Sequence, residues 1–302
     1  MSFLYDPILN ADSKVKVIAE IGCNHRGDIS TAKEMIKIAK IFCGVNYVKF
    51  QKRNNKELLT AEEYSAPHPN PYHSYGATYG EHREYLEFSL EQHLNLKTYC
   101  DEIGIGYSTS VWDLTSAKEI ASLNPDFIKI PSACNLNWPM LSELRDNYNG
   151  DIHISMGMTT KKEEENIIYF FTKKGAGKRV IIYACTSGYP VPYEELALLE
   201  IKRLRETFGN DIKDIGFSGH HNGIAADIAG LTLGANWFER HYTLDRTWKG
   251  TDHAASLEPD GLRKLVRDLH NVEKALKYKE QDLLEIEKVQ RNKLKRIEGK
   301  HF

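Results

Sequence analysis

An eightfold alternation of short apolar runs with longer helical patterns limits most strictly how this chain can fold. The runs are VKVIAEIG (15–22), YVKFQ (47–51), GYSTSV (106–111), FIKIPS (127–132), DIHISMG (151–157), RVIIYACT (179–186), IKDIGFSGH (212–220) and NWFERHY (236–242). Each is followed by a helical pattern, such as TAKEMIKIAKIF after the first and DGLRKLVRDLHNVEKALKY after the last. Runs this short and apolar suit strands buried on both faces of a parallel sheet. Eight such β/α units predict an α/β protein with one closed (β/α)8 barrel. An open, doubly wound sheet is the alternative, but no GxGxxG follows the first strand to support it. The barrel is expected over residues 1–278, with 279–302 as a charged C-terminal helix or linker.

Composition excludes several classes. With 41% hydrophobic and 27% charged residues in 302, the balance is globular. A net charge of −2 gives no electrostatic footprint for nucleic acid. No apolar run reaches the ~18 residues that a membrane span needs. The start, MSFLYDPILNADSK, lacks the cationic-then-apolar order of a secretory signal. Five widely spaced cysteines, Cys23, Cys43, Cys100, Cys134 and Cys185, form no CxxC pair, which fits a reduced, cytoplasmic compartment.

Polar residues gather where barrel enzymes keep their active sites, at the carboxyl ends of the strands. Glu20, Lys49 with Gln51, Thr109, Lys129 with Ser132, Ser155, Ser187, Ser218 with His220, and His241 all fall there. Lys49 and Gln51 are two apart and share a strand face. Two lysines aimed into one barrel mouth repel unless an anion separates them, so a phosphate or carboxylate ligand is expected between Lys49 and Lys129. A Schiff-base lysine is a second chemical reading. His220 and His241 end neighbouring strands and could share a divalent metal. His221 should point the other way. Asp252 and His253 follow strand eight and are placed within reach of substrate. The Pro-, Gly-, Tyr- and His-rich insert 52–85 follows strand two, which puts it over the same end. Cys134 and Cys185 have no histidine and acid at recognisable spacing, so they are expected to be packing residues.

Taken together, IAEIGCNHRGD, VKFQ, FIKIPSACN, ISMGM, CTSGYPVPYEE, FSGHHNGIAADIAGLTLGA and ERHYTLDRTWKGTDHAASLEP resemble the N-acetylneuraminate (sialic acid) synthase family over about residues 15–278. The resemblance implies a metal-dependent transferase on an eight-stranded barrel. It would condense phosphoenolpyruvate with an amino- or hydroxy-aldose of the mannose type, giving a nine-carbon α-keto acid sugar and phosphate, with manganese or magnesium as cofactor. Position by position, it implies that Lys49, Thr109, Lys129, Ser132, Ser187 and Ser218 bind phosphoenolpyruvate. Gln51, Ser155, Tyr189 and Asp252 would line the sugar site, His220 and His241 would hold the metal, and Glu20 would orient water or a sugar hydroxyl. Neither nucleic acid nor membrane is implied as a partner, and a homo-oligomer is expected.

The chain departs from the family pattern at several points. Ser218-Gly219-His220 stands where the family has Ser-Asp-His, with Asp227 as a substitute carboxylate. Ala133-Cys134 replaces Gly-Glu, and Ser187 replaces a common Asn. The family continues into an antifreeze-like domain that lends an arginine to the sugar site, whereas this sequence ends at Phe302. Arg83 and Arg246 are candidates for that role. A catalytically inactive sugar-phosphate-binding relative is the reading from a different class.

Overall fold

All eight apolar runs form strands in the computed structural model, which describes residues 13–296. The first residues of the expected barrel, 1–12, and the end of the expected tail, 297–302, lie outside the described residues. The strands are β1 (Lys16–Gly22), β2 (Tyr47–Lys52), β3 (Gly106–Val111), β4 (Phe127–Ile130), β5 (Asp151–Ser155), β6 (Val180–Cys185), β7 (Asp214–Gly219) and β8 (Trp237–His241). They pair in parallel in sequence order, and β1 pairs with β8 to close the barrel.

The period of two along each strand builds two cores. Outward residues such as Val17, Ala19, Val48, Phe50, Ile128, Ile152, Ile182 and Phe217 pack under the surrounding helices. Inward residues Ile18, Phe127, Ile181, Tyr183 and Trp237, with Tyr47 against them, plug the amino-terminal half of the lumen. Gly216 makes room for Tyr183, since a Cβ there would lie 2.4 Å from its ring. Above this plug the inward positions turn polar. Continuing the same phase gives Glu20, Lys49, Gln51, Ser110, Lys129, Ser155, Ser218, Glu239 and His241, so the lumen opens as a polar bowl at the carboxyl end.

The insert after β2 carries short helices at Asn55–Leu58, Ala61–Ser65 and Tyr79–Leu86. Thr60 with Glu63, and Thr78 with Glu81, form capping boxes that start the last two. The charged tail carries one helix, Glu285–Leu294, with no buried residue. Among the described residues no helix is long and apolar enough to cross a membrane.

Candidate active site

The polar bowl is a cavity of about 440 Å³, within the range of small-molecule sites. Glu20, Lys49, Gln51, Lys129, Ser132, Ser155, Ser187, Tyr189, Ser218, His220, His241 and Asp252 all line it. The two lysines and the two histidines therefore meet at a single opening.

Thr109 does not line it. Its hydroxyl donates to Tyr107 Oη at 2.8 Å, on the outward face of β3, and Tyr107 Oη in turn meets His93 Nδ1 at 2.7 Å. Ser110, one residue on, faces the lumen and touches Lys49 Nζ at 2.5 Å. A single step along a strand moves a side chain to the other face, and GYSTSV offers three consecutive hydroxyls from which to choose.

A carboxylate of the protein already lies between the two lysines. Glu239 lies 2.8 Å from Lys129 Nζ and 3.8 Å from Lys49 Nζ, and it accepts a bond from Ser218 Oγ at 3.2 Å. Lys49 also pairs with Glu20. Burial alone would raise Glu239, but Lys129 and Lys49 outweigh it and hold the carboxyl far below the usual range. Burial pushes Glu20 up, with Lys49 opposing. Burial likewise pushes the Lys129 ammonium down, against Glu239, and the Tyr183 ring lies 3.9 Å beneath that ammonium. Glu239 is a site residue that the sequence reading passed over. The phase Trp237, Glu239, His241 carried the signal.

The imidazoles of His220 and His241 lie 5.4 Å apart between ring centroids, with the Tyr189 ring 4.3 Å from the first and 5.8 Å from the second. Burial, then the neighbouring His241, lowers His220 to about 3, so it is neutral at physiological pH. Its Nδ1 meets the Thr186 carbonyl at 3.2 Å. A neutral ring donates Nδ1–H there and keeps its lone pair on Nε2, the orientation used in metal ligation. His241 Nδ1 is buried, has no hydrogen-bond partner among the described residues, and lies 3.9 Å from Asp252 Oδ2. Two imidazoles, one with an orphaned nitrogen, and a carboxylate nearby fit a divalent metal. Among the described residues no group of three or more His, Cys, Asp or Glu side chains forms a ligand set, so water or substrate oxygens would complete the shell.

Gly157 keeps the opposite wall open. A Cβ there would lie 2.5 Å from Ser187 Oγ and 2.7 Å from Ser132 Oγ. Other candidates sit elsewhere. Asp227 binds Arg240 and lies 3.2 Å from His221 Nε2, outside the barrel, so it supplies no carboxylate to the site. His221 points away as expected. His253 Nδ1 meets Thr243 Oγ1 at 2.7 Å and is not among the lining residues. Arg246 Nε donates to the Ala254 carbonyl at 3.0 Å and is likewise absent from the lining. Cys134 is pushed up to about 12 by burial. Cys185 lines the cavity, its thiol also raised by burial. Arg83 does line the cavity, as do Tyr79, His82 and His68 of the insert, together with Arg53 just after β2.

The NeuB family model matches residues 35–281. The chain is 39% identical over 278 residues to human (Homo sapiens) N-acetylneuraminate-9-phosphate synthase, spanning 92% of this chain and 76% of that protein. It is 32% identical over 264 residues to the N,N'-diacetyllegionaminic acid synthase of Campylobacter jejuni, spanning 87% and 78%. The crystal structure of an N-acetylneuraminic acid (sialic acid) synthetase from Leptospira borgpetersenii, in complex with citrate, superposes with a TM-score of 0.78 at 27% identity, covering 94% of this chain and 93% of that one. On the family match and the identity across most of its length, this chain belongs to the NeuB family.

Proposed function

We propose that the chain is a nonulosonic acid synthase that condenses phosphoenolpyruvate with an open-chain, N-acetylmannosamine-like aldose, releasing phosphate. The observation that carries this reading is the convergence of Lys49 and Lys129 with His220 and His241 on one cavity, in a family whose members are named for such products. Carbon three of the enol attacks the aldehyde carbon, water adds at carbon two, and the tetrahedral intermediate expels phosphate by breaking its carbon two–oxygen bond. Lys49 and Lys129 hold the anionic substrate, with Ser110, Ser132, Ser187 and Ser218 as hydroxyl donors, which is orientation and preorganised charge. Gln51, Ser155, Tyr189 and Asp252 face the sugar. Glu20 takes the proton of the attacking water, its burial-raised pKa suiting a base. A manganese or magnesium ion on His220 and His241, when bound, supplies Lewis acidity for the aldehyde oxygen. The five free cysteines suit a cytoplasmic enzyme.

The ion pairs of both lysines favour a charge-holding role over Schiff-base chemistry, which needs a neutral amine. Phosphate release from phosphoenolpyruvate, assayed against a panel of aldoses with manganese and with chelator, tests the reading. One phosphate per keto acid formed, abolished by EDTA and restored by manganese, is expected. Borohydride trapping of pyruvate on Lys129 or Lys49, or no release with any aldose, would overturn it.

A further inference from the structure

The names of the relatives leave open whether the aldose carries a phosphate: human N-acetylneuraminate-9-phosphate synthase and Campylobacter jejuni N,N'-diacetyllegionaminic acid synthase differ in that respect. The charge pattern of the cavity bears on it. Three of its four fixed cations are neutralised within the protein: Lys49 by Glu20, Lys129 by Glu239, and Arg53 by Glu87. The fourth, Arg83, has no carboxylate within 4.0 Å among the described residues. Its Nε and Nη2 donate to Tyr79 Oη at 3.1 and 2.9 Å, and its guanidinium carbon lies 5.0 Å from the Tyr79 ring centroid and 5.9 Å from that of Trp112. A guanidinium has five N–H donors. Nη1, and one hydrogen of Nη2, have no protein acceptor among the described residues.

A second donor stands beside it on the same helix. His82 Nδ1 accepts the Tyr75 amide at 3.1 Å, which leaves the proton of the neutral ring on Nε2. Burial, then the neighbouring His68, Arg53 and Arg83, lowers His82 to about 4, so it is neutral at working pH. Its ring lies 4.3 Å from that of His68, and both line the cavity. Arg83 and His82 belong to the insert over the mouth, whereas Lys49 and Lys129 sit down in the barrel. A neutral sugar would cover an arginine and leave its charge uncompensated, which is costly. A phosphomonoester supplies the missing negative charge and matches the planar donor fork.

We propose that Arg83, with His82 beside it, forms a second anion subsite at the mouth, and that the aldose acceptor carries a phosphate ester at the end remote from its aldehyde. This rests on the synthase reading above and names its substrate class.

The test compares N-acetylmannosamine with its 6-phosphate, each with phosphoenolpyruvate and manganese, in the native enzyme and in Arg83→Gln and Arg83→Lys. The native enzyme should prefer the phosphorylated sugar in kcat/KM by on the order of 100-fold. Arg83→Gln should raise the KM for the sugar phosphate at least about tenfold, a loss of ~1.4 kcal/mol, and collapse the preference, with Arg83→Lys intermediate. The KM for phosphoenolpyruvate should not follow. Equal kcat/KM for the two sugars, or a rise in the phosphoenolpyruvate KM instead, overturns the subsite while leaving the synthase reading intact. Turnover with neither sugar overturns the synthase reading. Calorimetric binding of the 6-phosphate then still judges the subsite, which requires affinity that Arg83→Gln removes.

Discussion

Replacing Glu239 by Gln removes one negative charge from between two buried ammonium groups and changes almost nothing in shape. At an effective dielectric of about 20, contacts of 2.8 and 3.8 Å are worth roughly 6 and 4 kcal/mol before desolvation is subtracted. Desolvation consumes most of that. Breaking a buried pair by deleting one partner nonetheless costs about 3–5 kcal/mol, because the other charge stays buried. The loss falls mainly on Lys129, whose ammonium burial already disfavours. With a urea m-value of about 3 kcal/mol/M, the midpoint should drop by about 1 M or more. Glu239 is held below its ordinary value in the fold, so its contribution is complete above the ordinary carboxylate range and is lost as pH falls through the folded value. The gap between native and Glu239→Gln midpoints should therefore be full at pH 6–8 and close only in strong acid. Urea denaturation of both proteins at those pH values measures it. An unchanged midpoint at pH 7 would mean that Glu239 does not compensate the lysines, and the charge assignment of the cavity would fail.

Neighbouring residues on β3 should separate binding from packing. Ser110→Ala should raise the KM for phosphoenolpyruvate several-fold in the phosphate-release assay, whereas Thr109→Val should lower stability by about 1 kcal/mol and leave that KM alone; the opposite pattern would reverse the assigned strand face. Asp227→Ala should cost about 3–5 kcal/mol in denaturation by stranding Arg240, without altering the KM for either substrate. His25, His93 and His220 are each lowered to about 3, all by burial first. The unfolded chain takes up protons below about pH 6.5 before the folded one does, so stability should fall by a few kcal/mol from pH 7 to pH 5. A flat denaturation midpoint over that range would contradict the buried, neutral assignment.

Much of the architecture was legible because both strand faces are apolar in their lower halves. All eight strands fall on the expected runs, and β3 has the expected bounds. The place of Lys49, Lys129 and His241 in the cavity lining was legible because a charged group in a short apolar run has few places to go except the polar end of the lumen. Phase was harder. In GYSTSV every candidate is small and polar, so hydrophobicity cannot tell Thr109 from Ser110, and only the outward Tyr107–His93 bond does. WFERH puts two opposite charges side by side, one facing in and one out. Nothing local says that the outward Arg240 is satisfied by Asp227 and the His221 carbonyl, or that the inward Glu239 answers two lysines from other strands. Such pairings are contacts between residues far apart in sequence. The same holds for the insert, whose capping boxes appear only in the structure and whose Arg83 gains meaning only from the absence of a carboxylate within 4.0 Å among the described residues.

Whether the lysine pair and the imidazole pair serve one bound substrate set is tested most directly by a crystal structure with phosphoenolpyruvate and manganese. Phosphoenolpyruvate oxygens are expected in hydrogen-bond contact with both Lys49 and Lys129, and a cation within about 2.3 Å of nitrogens of both His220 and His241. Phosphoenolpyruvate bound outside the barrel mouth, or a cation held by neither imidazole, would contradict it.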